Sequence, residues 1–396
     1  MKGVSPFLLA VWLPSTSFGQ ESLSKGIPSD AGSPDAPVLF CIGMHIEPHG
    51  GGMSKLVKSG IQGNGPGARG GKGYKDVAFF RRHAADIRTV AEIVEAHQGK
   101  LTIQAQTPFT QTAAELKEMI LGEMEKRGHE IALHFHEDAH MGRTVNDLTV
   151  ETWTAVLKEE IEWIRKAGGQ KIRYWSGGNL YPGVLEAAVG AKLNVMGDYK
   201  NPKSQESDPK LLTVFPWRPS KGPKDNDVGE FAKHSAAGKV IYLPSGLFGK
   251  TNYGGRRRSE EAGGDAKYFD FLTEGLEASL RAARKDRVNV FHITVHAGEF
   301  KGRGGKPFAV ISEWLTKVID PLVRDRKARW ATFTEMADEF LQWEKGHPNV
   351  DPRETGMAPR PHAETARRRP NLSDDVPESP AREIGAGPFP LSEDPV

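Results

Sequence analysis

"GHEIALHFHEDAH", residues 128–140, places four histidines, two glutamates and one aspartate in thirteen positions of a chain with 13 histidines in all. It opens on the glycine that stops a helical run, "TAAELKEMILGEMEKRG" (112–128), and continues as an alternating β-like segment, "HEIALHFH" (129–136). A helix ended by glycine and followed by a strand with a polar far end is the repeating unit of a parallel βα sheet. In βα barrels, functional side chains collect at the C-terminal ends of strands. This stretch therefore predicts both an architecture and a place for chemistry.

Working outward, the same alternation continues. Strand-like runs are "PVLFCIGMHI" (37–46), "KLTIQAQT" (100–107), "KIRYWS" (171–176), "KLNVMGD" (192–198), "GKVIYLP" (238–244), "VNVFHITVH" (288–296) and "ARWATFT" (328–334). Between them, "VAFFRRHAADIRTVAEIVEAH" (77–97), "TVETWTAVLKEEIEWIRKAGG" (149–169), "YPGVLEAAVGA" (181–191) and "PFAVISEWLTKVIDPLV" (307–323) carry helical spacing. The pattern predicts an α/β fold, a distorted parallel (β/α) barrel of about seven to eight strands in one domain over residues 37–345.

The rest of the chain reads differently. Lys2, the apolar run Val4–Leu13 and the small residues "STSFG" (15–19) form the layout of a secretory signal peptide over residues 1–19. Residues 20–36 read as a polar tether. Residues 346–396, rich in Pro, Arg, Glu and Ser, have too few large apolar residues to offset ordering entropy and are expected to be disordered. The chain is thus expected to be secreted or periplasmic.

The 53 basic and 51 acidic residues nearly cancel, so charge gives no nucleic-acid footprint. No segment reaches the apolar length of a membrane span. The sequence leaves the oligomeric state open. Cys41 is the single cysteine, which excludes an internal disulfide and leaves histidine and carboxylate as the strong metal donors. "GPGARGGKG" (65–73) misses the phosphate-loop pattern, and its Gly-rich surroundings suggest a flap near the mouth of the site. "YWSGG" and "LPSGL" both miss the serine-hydrolase elbow.

Ionisable residues recur at strand ends. The first strand ends in "MHIEPHG", with His45 and Glu47 two apart and on one face. In "LHFHED", His134, His136 and Asp138 alternate in the same way if the strand persists. If the chain turns after His134, the pairs His134/Asp138 and His136/His140 instead gain helical spacing. The fourth strand ends near Arg173, the fifth in Asp198, and the seventh carries His292 and His296. Imidazole with carboxylate suits Zn²⁺ and similar ions. His129, at a helix–strand junction, reads as structural; His83 and His97, on a helix, read as solvated.

The order of these motifs resembles that of the polysaccharide deacetylases, carbohydrate esterases of one superfamily. "RGHEIALHFHEDAH" is similar to their "GHEIGxHxxxH"-like motif, and "IRYWSGGNLYPGVLEAAVGAKLNVMGDYKNP" to the following arginine-to-aspartate motif. "VNVFHITVHAGEF" and "ARWATFTEMADEF" are similar to the closing motifs, so the resemblance spans about residues 38–342. It implies metal-dependent removal of an acetyl group, amide or ester, from a carbohydrate, with Zn most expected and Co or Mn possible.

By the same resemblance, Glu47 and His134 are metal ligands, Asp138 or His140 is a further one, and His136 can replace either. Asp138 or Asp198 becomes the base, His296 (or His292) the acid, and Arg173 the arginine that orients the acidic motif. The chain departs from the family where paired aspartates are usual: it has His45 and Glu47. Two other readings therefore stand beside the first, a hydrolase of non-sugar C–N bonds and an inactive carbohydrate-binding relative.

Overall fold

A computed structural model describes residues 36–49, 73–136, 149–177, 183–199, 207–223, 227–248, 264–299, 308–348 and 350–354. The chain divides into two units, Met1–Thr355 and Gly356–Val396, and the second lies outside the described residues. So do the expected signal peptide, the tether apart from Ala36, and the Gly-rich flap from residue 50 to 72, together with Asp138 and His140.

All eight expected strands form, and all pair in parallel. They are β1 (Val38–His45), β2 (Leu101–Ala105), β3 (Glu130–Phe135), β4 (Tyr174–Gly177), β5 (Val195–Gly197), β6 (Ile241–Leu243), β7 (Asn289–His296) and β8 (Ala328–Trp330). The order is β6-β5-β4-β3-β2-β1-β7. β7 pairs along the whole of β1, whose other edge is shared, with β8 at Val38–Phe40 and β2 at Ile42–His45. No ladder joins β6 to β7, but His292 N donates to Ser245 O (3.2 Å) and Val290 N to Val214 O (2.8 Å) across that seam. The sheet is thus curled into a distorted barrel.

The helices follow the apolar spacing with three corrections. α1 (Val77–Ala96) begins at Asp76, whose carboxylate accepts from Ala78 N and Phe79 N. The single helix expected over 112–128 is instead α2 (Phe109–Glu115) and α3 (Ile120–Lys126), separated at Lys117, which holds a φ of 56°. α4 (Val150–Lys166), α5 (Val184–Gly190), α7 (Ala309–Trp314) and α8 (Asp320–Arg324), the last two joined by a π turn at Leu315–Ile319, occupy their expected stretches. α6 (Asp265–Ala282) and α9 (Phe333–Gly346) are further helices that sequence periodicity did not single out, and α9 takes Phe333 and Thr334 from the expected last strand.

Alternation along the strands divides the core. Phe40, Ile42 and Met44 point out to the helices, while Leu39 and Cys41 point in, with Ala132, Tyr174, Val195, Ile241, Leu243 and Val290. The inner cluster packs on Phe333, Met336, Ala337 and Phe340 of α9, which plugs the N-terminal end of the barrel. Burying a side chain such as Phe333 contributes about 1.5–3 kcal/mol. The plug is anchored by polar contacts: Glu130 accepts from Thr102 Oγ1 (2.8 Å) and Thr334 N (3.3 Å), and Thr332 with Glu335 forms a capping box. With the floor filled, the opposite rim is the end left for chemistry. Ordered chain also runs past residue 345, since Arg353 lies 4.3 Å over the Trp217 ring.

Candidate metal centre

The rim is built from six strand ends. β1 delivers His45 inward, and Glu47 follows where the backbone leaves the sheet, with His49 N donating to Glu47 O at 2.8 Å. β3 brings His134 to the same level, and His136 follows; its backbone N–H is held by Gln106 Oε1 at 3.0 Å, from the end of β2. β4 contributes Ser176, β5 is followed by Asp198 in the left-handed region (φ 56°), and β7 contributes Thr294 and His296. Ala297 N donates to His45 O (3.2 Å), fixing the end of β7 against β1.

These side chains converge on Glu47. Its Oε1 lies 3.4 Å from His134 Nε2 and 3.4 Å from His296 Nε2, and its Oε2 lies 3.0 Å from His136 Nε2. Behind this ring, His134 Nδ1 meets Ser176 Oγ at 2.7 Å, and His296 Nδ1 meets Glu299 Oε1 at 3.0 Å. His45 stacks on His134 with ring centroids 3.9 Å apart. Its Nε2 lies 3.3 Å from Asp198 Oδ2, and Thr294 Oγ1 donates to the same oxygen at 3.2 Å. His292 sits deeper, its Nδ1 3.9 Å from Asp198 Oδ1.

The electrostatics favour neutral His45 and His134 rings beside an ionised Glu47 carboxylate. Burial alone would raise the Glu47 carboxyl, but the His136 charge and the neighbouring His134 outweigh it and hold Glu47 well below the usual carboxylate range. Burial, reinforced by His45, pushes His134 well below the usual histidine value. Burial also lowers His45, against the opposing pull of Asp198.

A cation fits this donor set. Bonds of about 2.0–2.2 Å in a tetrahedron put neighbouring donors about 3.4 Å apart, and the ring spacings of 3.0–3.4 Å agree. Buried His134 Nε2 and Glu47 Oε2 make no hydrogen bond among the described residues. Donors that approach one another without bonding are arranged for a shared partner. Glu47 with His134 and His136, and Glu47 with His45 and His296, each form a group whose ligand atoms lie within 4.8 Å of one another.

Of the residues expected from sequence, Glu47, His134, His136, His296 and Asp198 meet at this rim. Arg173 does not. It precedes β4, at the N-terminal end of the barrel, where its guanidinium pairs with Asp338 of α9 at 2.9 and 3.0 Å. The error was one of strand polarity, because the residue that β4 carries to the rim is Ser176. His83 and His97 are not solvated: Tyr74 Oη meets His83 Nδ1 at 2.7 Å, and His97 Nδ1 meets Asp320 at 2.8 Å. His129 has the structural role expected, accepting from Leu101 N at 3.0 Å and meeting Glu95 at 3.0 Å. Ser176, Gln106, Thr294 and Glu299 were missed. Glu299, three residues after His296, carried the one local signal.

No family model and no curated protein sequence matches the chain. Solved structures do. An allantoinase, Puue, is 15% identical with a TM-score of 0.50, over 82% of this chain and 97% of its own. A 4-alpha-glucanotransferase from Thermococcus litoralis is 16% identical with a TM-score of 0.46, over 77% of this chain, which spans 41% of that protein's length. A family 4 acetyl xylan esterase from Clostridium thermocellum, solved with a cobalt ion, is 13% identical with a TM-score of 0.34, over 76% of this chain and 91% of its own. At these identities what is shared is the fold, a distorted parallel β/α barrel.

Proposed function

We propose that this chain is a divergent polysaccharide deacetylase, a metal-dependent hydrolase that removes acetyl groups, amide or ester, from a carbohydrate. One observation carries the reading: three imidazole nitrogens from two strand ends stand 3.0–3.4 Å from the Glu47 carboxylate at the open rim. Glu47, His134 and His136 would hold the ion, with Zn first and Co or Mn as substitutes. Bound there, a divalent cation supplies Lewis-acid polarisation of a carbonyl and an acidified water.

The remaining residues handle protons and position. Asp198, paired with His45, is placed to accept a proton. His296, backed by Glu299 on its other nitrogen, is placed to deliver one to the leaving group. Ser176 holds the His134 ring in one orientation. Arg173 has no part in this scheme. Asp138, the other candidate base, and His140 lie outside the described residues. Export follows from the signal-like N-terminus, and a mature chain beginning at Gln20 by mass spectrometry of the secreted or periplasmic fraction is its test.

The decisive experiment pairs metal content of the purified protein with acetate release from acetylated glycans, for wild type and Glu47→Gln. The expected result is bound divalent metal, acetate release, and loss of both in the variant with folding retained. Absence of metal, with no activity restored by Zn²⁺, Co²⁺ or Mn²⁺, would overturn it. The allantoinase likeness keeps a non-sugar C–N bond as the second reading, separated by assaying acyclic and cyclic amides alongside the glycans. If glycan affinity is retained unchanged in Glu47→Gln with no turnover in either protein, the chain is a binding relative.

A further inference from the structure

We infer that Gln106 is an oxyanion donor of the proposed reaction, its side-chain N–H groups meeting the acetyl carbonyl oxygen as that oxygen gains charge. This rests on the reading of the rim as a metal-dependent deacetylase site and adds a residue to it. The parallel register supplies the placement. His45 pairs with Gln104 and Gln104 with Ala132, so two residues further on Glu47, Gln106 and His134 stand in one layer at the ends of three adjacent strands. Gln104 lies inside the barrel, because its Nε2 would be 2.7 Å from a Cβ placed on inward-facing Gly43. Gln106, two residues on, turns the same way, is fully buried and reaches the chain at His136.

The direction of the amide follows from its anchor. The backbone N–H of His136 needs an acceptor, and Gln106 Oε1 meets it at 3.0 Å, which leaves Nε2 on the other side. Three side-chain atoms of this layer are buried and make no hydrogen bond among the described residues: Glu47 Oε2, His134 Nε2 and Gln106 Nε2. The first two can each offer an electron pair to a cation. The third has only protons to offer, so it needs an oxygen beside that cation site. As a water oxygen bonds to the acetyl carbon and its proton goes to Asp198, the carbonyl electron pair moves onto oxygen, where a fixed N–H donor favours the charge. Return of that pair breaks the bond to the leaving group, which takes the proton of His296. The donor is held in advance: buried Glu160 accepts from Thr107 N and Thr107 Oγ1, both at 2.8 Å, and so fixes the turn that follows Gln106.

The test combines hydrolysis of 4-nitrophenyl acetate by the full chain with metal content and calorimetric binding of methylphosphonate, a tetrahedral anion with the methyl group of acetate. Gln106→Met keeps the side-chain length and lacks the N–H groups. Its kcat should fall on the order of 10²–10³-fold with KM nearly unchanged. Methylphosphonate should bind about tenfold or more weakly, while metal content stays at the wild-type level. Gln106→Glu keeps an acceptor for the His136 N–H but still lacks the donor, so it should not restore turnover. Turnover recovered in Gln106→Glu, or metal lost from Gln106→Met, would reduce Gln106 to a support for His136 and overturn the assignment. Wild-type kcat in metal-loaded Gln106→Met overturns it too and leaves the deacetylase reading standing. A wild-type protein without bound metal or turnover removes both. Should Gln106→Met fail to fold, Gln106→Glu and its methylphosphonate affinity decide the matter.

Discussion

His134 of the third strand and Glu47 beyond the first face each other at 3.4 Å, Nε2 to Oε1, with no hydrogen bond made by that nitrogen among the described residues. A buried imidazole nitrogen left without a hydrogen bond is costly unless a further partner, such as a cation, takes it up. The support behind them has its own consequence. Ser176→Ala frees the His134 ring, and Glu299→Gln weakens the hold on His296. Ser176→Ala should weaken metal affinity by about 10–100-fold, the usual effect of removing an outer partner of a ligating histidine, whereas Glu299→Gln should lower turnover and leave metal affinity near wild type. Calorimetric titration of the metal-free variants measures this, and unchanged affinity in Ser176→Ala would argue against the site.

Arg173 provides a contrasting test. Its bidentate pair with Asp338 is largely exposed and lies at the plugged end of the barrel. Arg173→Ala should cost less than about 1 kcal/mol of stability, in line with surface ion pairs. Metal affinity and acetate release should stay at wild-type levels. A large fall in turnover with normal folding would restore the arginine to the active site.

Glu130 controls a pH dependence at the floor. Burial raises its carboxyl above the usual value, although Thr102 and Thr334 pull the other way. With the folded value above the unfolded one, the folded state binds the proton more readily. Stability is then full at low pH and declines as pH rises from the ordinary carboxyl range through the folded value. Glu130→Gln keeps an acceptor for Thr102 and Thr334 and removes the ionisation. It should match or exceed wild type by about 1 kcal/mol at neutral pH and flatten that part of the profile. Urea unfolding from pH 4 to 8 is the measurement, and a variant less stable by about 2 kcal/mol with the slope intact contradicts the account.

The Tyr74–His83 contact, 2.7 Å between buried atoms, supports the segment beside the rim. Tyr74→Phe removes one partner and keeps the ring. A loss of about 1–2 kcal/mol is expected, because a buried polar atom gives up its bond. Thermal unfolding monitored by circular dichroism reads it, and no change in midpoint would mean that the hydroxyl has an equally good substitute.

The sequence by itself determined the succession of strands and helices along the chain, the alternation of faces along a strand and the candidates Glu47, His134 and His136. Those depend on periodicities of two and 3.6 residues and on one cysteine in 396 residues, all of which can be read between near neighbours. Tertiary structure decided the rest. The pairing of His45 with Asp198, the Ser176 and Glu299 supports and the division of histidines around Glu47 arise where strands lie side by side. That arrangement is set by register and barrel curvature, which are properties of paired strands and not of any one segment. Arg173 shows the same limit: whether it lay at the rim or the floor depended on which end of a four-residue strand it joined.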